Sequence, residues 1–137
     1  MKRVFVDTSG FFALFVLDDR NHAPAQALFN RAEQERWRLI TTNAVVTETY
    51  ALMLVRAREG RSKAIAFLDG LTASSVRVER VRVSDEVRAV ELVRRYHDKS
   101  YSLCDAYSFV VMERLGIAEV IAFDRHFREH AKFKVLS

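Results

Sequence analysis

Four carboxylic acids in this sequence occupy positions where an acidic side chain is unusual. Asp7 and Asp124 each directly follow an apolar run with the composition of a buried strand. Glu48 and Asp105 each interrupt an apolar stretch with the composition of a helix. An ionised carboxylate in apolar surroundings is costly unless it pairs with a cation, binds a metal ion or accepts strong hydrogen bonds. Each of these acids therefore needs a specific partner.

Ordinary structural roles can account for each acid taken alone. Asp7 and Asp124 can cap the helices that follow them. Ser102 and Asp105 have the S-x-x-D spacing of a capping box, and Glu48 can form a salt bridge with an arginine. Because four separate explanations would have to coincide, we favour one shared role for the four acids.

A cluster of carboxylates without a paired Cys or His is typical of sites for hard divalent ions. Mg²⁺ takes one or two protein carboxylates, keeps several waters and accepts phosphate oxygens from a substrate. Two such ions about 4 Å apart can activate an attacking water and stabilise a leaving oxygen. The acids therefore predict metal-assisted chemistry on phosphodiesters.

Other residues with chemical potential form weaker patterns. His126 and His130 stand four residues apart but lack the Glu of H-E-x-x-H, so we expect a surface or substrate-facing role for them rather than a zinc site. Cys104 lies in an apolar run and is predicted to be a buried structural thiol. Asp98 has polar neighbours and is predicted to lie in a loop, outside the site.

The composition is that of one globular domain with its own core. The chain has 137 residues, of which 50% are hydrophobic and 29% charged, and a net charge of +4 that mildly favours polyanionic partners. A single Cys permits no internal disulfide. The longest N-terminal apolar stretch is far shorter than the roughly 20 residues of a membrane span. Asp7 would interrupt a signal peptide, so we expect no membrane association and a cytoplasmic protein.

Apolar strands alternate with helices along the whole chain. This order predicts an α/β fold with a mainly parallel central sheet, and ligands bind beyond the carboxyl ends of such strands, where Asp7 and Asp124 lie. The predicted strands are Arg3–Val6, Leu39–Thr42, Val76–Val83 as an edge strand, Val120–Phe123 and Phe133–Leu136. The predicted helices are Gly10–Leu17, Asn21–Glu35 with Pro24 in its first turn, Ala44–Arg58, Ser62–Leu71, Ser84–His97 and Leu103–Leu115.

Polar residues and glycines mark the expected ends of these helices. Asn43, Ser84 and Ser102 are each placed to cap a helix N-terminus. Gly60 and Gly116 are placed to end the preceding helix.

Four parts of the sequence, taken in this order, resemble the PIN domain family, in particular its VapC-type toxin ribonucleases. They are Val4–Ser9, the helical Glu48, Tyr101–Ala106 and Ile121–Phe127. The resemblance implies a single PIN-like domain over residues 1–137. It also implies a metal-dependent endoribonuclease that hydrolyses RNA phosphodiester bonds as the toxin of a type II toxin–antitoxin pair.

The resemblance further implies an acidic pocket that holds Mg²⁺ or Mn²⁺. By match of motif, its catalytic and metal-binding residues are Asp7, Glu48, Asp105 and Asp124. Thr8 and Ser9 would contribute hydroxyl or backbone contacts. The implied partners are an RNA substrate, a small antitoxin protein and a second copy of the chain in a homodimer.

Two other functions compete with this interpretation. A phosphatase of the haloacid-dehalogenase type also has an Asp after its first strand, but it requires D-x-D, and Ser9 occupies the second acidic position. A non-catalytic module that binds RNA or a protein partner would have the same fold with an inactive pocket.

The sequence departs from the pattern of the PIN domain family at one point. Many members of the family place Thr or Ser close before the last acid, where this chain has Ala122 and Phe123.

Overall fold

Five parallel strands form one sheet in the order β3-β2-β1-β4-β5. The structure, a computed structural model, describes residues 1–137. The strands are β1 (Arg3–Val6), β2 (Arg38–Thr42), β3 (Arg77–Glu79), β4 (Glu119–Ile121) and β5 (Lys134–Leu136). The helices are α1 (Thr8–Phe15), α2 (His22–Gln34), α3 (Asn43–Arg56), α4 (Gly60–Ala73), α5 (Val83–Arg95), α6 (Leu103–Leu115) and α7 (Arg125–His130).

The centre of the sheet is apolar on both faces. Val4, Phe5 and Val6 of β1 are completely buried, and Phe5 is in register with Ile40 of β2 and Val120 of β4. Parallel strands are covered by helices on both sides, which explains why β1 is a continuous apolar run instead of an alternating one. The predicted α/β fold with a parallel sheet is confirmed.

Two helices begin directly where a strand ends, at the carboxyl edge of the sheet. α1 starts one residue after β1 and α3 immediately follows β2. The backbone N–H of Asp7 still bonds to the carbonyl oxygen of Ile121 at 3.1 Å, which keeps the end of β1 beside the end of β4. A Cβ at Gly10 would lie 3.0 Å from the same carbonyl oxygen, so glycine allows α1 to approach β4 closely.

Two of the predicted helix caps are wrong. Thr42, not Asn43, caps α3 by accepting a hydrogen bond from the N–H of Val45. The side chain of Asn43 is instead used across the sheet, where it accepts a bond from the N–H of Val81 at 2.9 Å. α5 begins before Ser84, with Arg82 at its N-cap position. At α3 two adjacent polar side chains compete for the helix end, and sequence alone does not decide between them. At α5 the carboxylate of Asp85 accepts from the N–H of Arg82, so the helix begins before Ser84.

One of the two predicted glycine helix ends is confirmed, and the predicted edge strand is shorter than expected. Gly116 ends α6 in the left-handed conformation with a φ of 68°, as predicted. Gly60, by contrast, is the first residue of α4, because α3 already ends at Arg56. The predicted strand Val76–Val83 lies at the edge of the sheet as expected, but only Arg77–Glu79 pairs with β2. Its later residues leave the sheet because α5 starts at Val83.

α7 is a short helix that was not among the predicted elements. It has six residues, fewer than two turns, so apolar periodicity cannot reveal it. It nevertheless places His126 and His130 against the N-terminal half of α6, through contacts with Asp105 and Phe109. No helix in the structure combines the length and the apolar character needed to cross a membrane.

Candidate active site

The four acids that the sequence singled out line one cleft at the carboxyl edge of the sheet. The cleft has a volume of about 410 Å³, and its walls include Asp7, Glu48, Asp105 and Asp124. Asp7 is the N-cap of α1 and Asp124 is the N-cap of α7. Asp105 lies in the first turn of α6, and Glu48 lies on α3. The fold thus brings together side chains that are far apart in the sequence.

Asp7 is buried at the centre of the acidic group. The residue is only 3% exposed. Its Oδ2 atom accepts hydrogen bonds from the N–H of Ser9 at 3.2 Å and from the Ser9 hydroxyl at 2.7 Å. Burial raises the pKa of Asp7 to about 7, and the charges of Asp105 and Asp124 also raise it, whereas the bonds from Ser9 lower it. Ser9 also accepts a bond from the N–H of Phe123 at 2.9 Å, which links the ends of β1 and β4.

Asp105 has two hydrogen-bond donors on one oxygen. Its Oδ2 accepts from the N–H of Ser102 at 3.0 Å, and the Nδ1 atom of His126 lies 2.6 Å from the same oxygen. The Ser102 hydroxyl accepts from the N–H of Asp105, so the predicted capping box is present. Burial raises the pKa of Asp105, the bonds from Ser102 and His126 oppose this effect, and the charge of Asp124 adds to it.

Asp124 and Glu48 complete the acidic wall with different surroundings. The Oδ1 atom of Asp124 accepts from the N–H of His126 at 2.6 Å. Glu48 is half-buried and takes part in no ion pair, so the salt bridge considered as its alternative role is absent. Burial raises the pKa of the Cys104 thiol, and the charges of Glu48 and Asp7 raise it further. Cys104 is therefore an unreactive thiol beside the site, although it is half-buried and not fully buried as predicted.

The three aspartates share one hydrogen-bonding pattern. Each uses a single oxygen for the protein's own donors: Oδ2 in Asp7 and Asp105, and Oδ1 in Asp124. The other oxygen of each accepts no hydrogen bond from the protein, and none of these oxygens is sealed from solvent. The capping roles considered as alternatives are thus real, yet they leave three oxygens free to bind a ligand.

The surface role, one of the two roles expected for the histidines, is wrong, and the substrate-facing role stays a prediction. The His126 side chain is 17% exposed and contacts both Asp105 and Asp124. His130 is 7% exposed, and its ring stacks on Phe109 with a centroid distance of 4.0 Å. A histidine therefore contacts two of the four acids, although the sequence predicted a cluster of carboxylates with no paired histidine. No pattern in the local sequence indicates this contact, because Asp105 lies on another helix, 21 residues away.

Three further polar residues line the cleft and were not identified from the sequence. Asp19 and Asn21 come from the connection between α1 and α2, and Asn21 holds the N-cap position of α2 without a side-chain cap bond. Arg56 is the last residue of α3 and the only cation among the lining residues. Its position eight residues after Glu48 places both on one helix face, which is the signal that could have revealed it.

The donor set fits a divalent cation. Ligand atoms of Asp105, Asp124 and His126 lie within 4.8 Å of one another, and Asp7 and Glu48 line the same cleft outside this compact group. The Oγ1 atom of Thr8 is buried in the cleft wall without a hydrogen-bond partner. Uncompensated acids and an unpartnered hydroxyl at one place are the features expected where a hard cation and its water would bind.

The fold and the acidic cleft define the class of the protein. Residues 4–133 match the PIN domain family, and the chain belongs to this family. The family that the four sequence parts resemble is therefore confirmed.

Relatives with a described activity match almost the whole chain. The 23S rRNA-specific endonuclease VapC20 of Mycobacterium tuberculosis is 36% identical over 124 residues, which cover 90% of this chain and 91% of the relative. The crystal structure of Mycobacterium tuberculosis VapC20, a sarcin-ricin loop cleaving toxin, matches with a TM-score of 0.87 and 33% identity, and covers 98% of this chain and 99% of its own. FitAcB from Neisseria gonorrhoeae matches with a TM-score of 0.66 and 15% identity over 98% of this chain and 96% of its own, which is a similarity of fold.

Proposed function

We propose that this protein is a metal-dependent endoribonuclease that hydrolyses RNA phosphodiester bonds. The observation that carries the proposal is the convergence of Asp7, Glu48, Asp105 and Asp124 on one cleft, with an oxygen of each aspartate left free. The similarity to an rRNA-specific endonuclease along 90% of the chain supports the same activity.

The four acids would hold Mg²⁺ or Mn²⁺ in the cleft. When bound, such an ion polarises a phosphate oxygen and lowers the pKa of water so that it can act as a nucleophile. The protein's own residues orient the ligands: Ser9 fixes one oxygen of Asp7, and Ser102 fixes one oxygen of Asp105. The Thr8 hydroxyl lies buried in the cleft wall without a hydrogen-bond partner, next to these ligands.

The substrate we propose is RNA, recognised first through its phosphates. The cleft itself is acidic, so a polyanion can enter only where a cation balances it, and Arg56 is the one cation in the wall. Arg56 is exposed and takes part in no ion pair, which leaves its guanidinium free to bind a phosphate. The net charge of +4 favours the approach of RNA to the rest of the surface.

We further propose that the protein is the toxin of a type II toxin–antitoxin pair, acts in the cytoplasm, and is held inactive by a small antitoxin. The relative VapC20 is described as a toxin. Exposed apolar side chains offer a surface for such a partner: Leu17 after α1 is 68% exposed, and Leu54 and Val55 on α3 are 44% and 81% exposed. A homodimer, which the family resemblance implies, is tested by light scattering of the purified protein.

RNA cleavage by matched variants tests the proposed activity. Structured and unstructured RNAs are incubated with wild type, Asp105→Asn and the surface control Asp69→Asn, each with Mg²⁺, with Mn²⁺ and with a chelator. We expect wild type and Asp69→Asn to cut RNA only with metal and Asp105→Asn to lose at least about a hundredfold in rate. Equal cutting by Asp105→Asn would indicate a contaminant. Tight binding of RNA without metal-stimulated cutting would instead favour the non-catalytic module.

A further inference from the structure

His126 joins two acids of the cleft that come from different helices. Its ring Nδ1 lies 2.6 Å from Oδ2 of Asp105 and 3.3 Å from Oδ1 of Asp124. Its backbone N–H donates to Oδ1 of Asp124 at 2.6 Å. One residue therefore holds the first turn of α6 and the N-cap of α7 in a fixed relation.

The chemistry of the contact identifies the hydrogen on the ring. Asp105 must be ionised to bind a metal ion, and an ionised carboxylate only accepts hydrogen bonds, so in the metal-binding state Nδ1 carries the hydrogen that is shared with Asp105. The donation adds to that of the Ser102 N–H on the same oxygen. Together they saturate Oδ2 of Asp105 and leave Oδ1 as the oxygen that can bind a ligand.

The imidazole ring is itself held in place from behind. Tyr101, which directly precedes the α6 cap Ser102, packs edge-on against the His126 ring with a centroid distance of 5.7 Å and an interplanar angle of 81°. The residues that line the cleft do not include His126. The ring therefore reaches the cleft only through the acids that it contacts.

We propose that His126 is a positioning residue that orients Asp105 and Asp124 for the divalent ion. The proposal rests on the proposed function for the presence of that ion. A hydrogen bond from outside the ligand set fixes the direction of a ligating carboxylate, and its loss typically weakens metal binding by 10- to 100-fold. Without the His126 donor, Asp105 retains only the Ser102 N–H, and Asp124 faces its acidic neighbour with no ring between them.

Two substitutions of equal size separate the hydrogen bond from packing. Asn and Leu have nearly the same shape, but only His126→Asn retains an N–H donor close to the position of Nδ1. Mn²⁺ binding is measured by calorimetry on wild type, both variants and the control His97→Leu, which changes an exposed histidine. We expect His126→Leu to bind Mn²⁺ about 10- to 100-fold more weakly and His126→Asn to stay within about threefold of wild type. His97→Leu is expected to be unchanged.

The outcomes distinguish this inference from the proposed function. Unchanged Mn²⁺ affinity in His126→Leu, or an equal loss in the Asn and Leu variants, overturns the positioning role. If the Mn²⁺ affinity depends on His126 as expected but wild type cuts no RNA, the positioning role is supported and the proposed nuclease activity is overturned. If His126→Leu does not fold, His126→Phe retains the ring against Tyr101 without the donor and must show the same weakened binding.

Discussion

Asp7 shows, at the scale of one residue, how the site is destabilised before any ligand binds. Its backbone continues the ladder between β1 and β4, so the fold fixes the carboxylate in a buried position. Ser9 supplies two hydrogen bonds, yet burial and two neighbouring acids still raise the pKa of Asp7 to about 7. A buried acid that resists ionisation is a strain that a cation would relieve.

Asp7→Asn should therefore stabilise the metal-free protein in a pH-dependent way. Between about pH 4 and 7 the folded protein keeps a proton on Asp7 that the unfolded chain has released, so the free energy of unfolding falls as pH rises through this window. Above about pH 7 the ionised Asp7 destabilises the folded protein by its full amount. We expect the free energy of unfolding of Asp7→Asn to be about 1–3 kcal/mol higher than that of wild type at about pH 8, and the difference to be smaller at about pH 5.

Urea denaturation in the presence of a chelator measures this difference. Asp69→Asn, at an exposed position, is the matched control and should show no such pH dependence. A gain from Asp7→Asn that is the same at both pH values would contradict the assigned cause.

Arg56 gives a second prediction at this scale. Replacing it by Ala removes the one cation of the cleft wall, and a hydrogen bond to a charged group contributes about 1.5–3 kcal/mol. We expect Arg56→Ala to raise KM for RNA about tenfold, to change kcat by less than about twofold, and to make binding less salt-dependent. Arg58→Ala, which changes an exposed neighbour outside this cleft, should alter none of these quantities. Identical kinetics for the two variants would remove Arg56 from the substrate site.

The sequence revealed acids more readily than the groups that surround them. Asp7, Glu48, Asp105 and Asp124 are visible because each conflicts with its local apolar pattern. His126 is not, since its partner Asp105 lies on another helix and nothing in its own segment is unusual. Contacts of this kind depend on how the helices pack in three dimensions, so local sequence patterns do not predict them.

At the scale of elements, a buried ion network attaches the edge strand β3 and α5 to α6. Arg114 donates to both oxygens of Asp85 at 2.9 and 2.8 Å and to Glu79 at 2.9 Å. Asp85 is 1% exposed, and its Oδ2 also accepts from the N–H of Arg82. Although burial opposes it, these bonds hold the pKa of Asp85 below its ordinary value. The network keeps α6, and with it Asp105, fixed against the sheet edge.

Arg114→Met should be strongly destabilising, because it leaves the buried Asp85 without a cation and leaves Glu79 with only its contact to the exposed Arg77. Breaking a buried pair costs about 3–5 kcal/mol, whereas an exposed pair contributes about 0–1 kcal/mol. We expect a loss in the first range for Arg114→Met and a negligible one for Arg88→Ala, which removes the exposed pair with Glu113. Neutralising both acids with Glu79→Gln and Asp85→Asn in the Arg114→Met background should recover much of the loss. Urea denaturation of the four proteins checks this; no recovery would mean that packing, not charge, is responsible.

Elements were predictable where one strong signal dominates. β1 is a short apolar run followed by Asp7, and α6 carries a capping box at one end and Gly116 at the other, so both are found with accurate bounds. β3 is shorter than its alternating pattern indicates, since pairing requires β2 beside it and the alternating pattern continues past the last paired residue. α7 escapes prediction because its stability comes from tertiary contacts, not from its own six residues.

At the scale of the whole molecule, the topology is what creates the site. β1 lies between β2 and β4, so the residues that follow these three strands reach one edge of the sheet. Asp7 and Asp124 come from two of these ends, Glu48 comes from the helix that follows the third, and α6 brings Asp105 across. Folding therefore concentrates negative charge in one place, which costs stability unless a cation shares the cleft.

The divalent ion should stabilise the folded protein as a whole. An ion that binds only the folded state at about a hundred times its Kd adds about 2.7 kcal/mol, which for a chain of this size is a rise in Tm of about 10 °C. We expect this rise for wild type in Mg²⁺ or Mn²⁺ but not in NaCl of equal ionic strength. Asp7→Asn should have a higher Tm than wild type in the chelator and should gain little from the ion. The difference in Tm between the two proteins should therefore shrink or change sign as metal is added. A wild-type Tm that neither ion changes would contradict a metal site in this cleft.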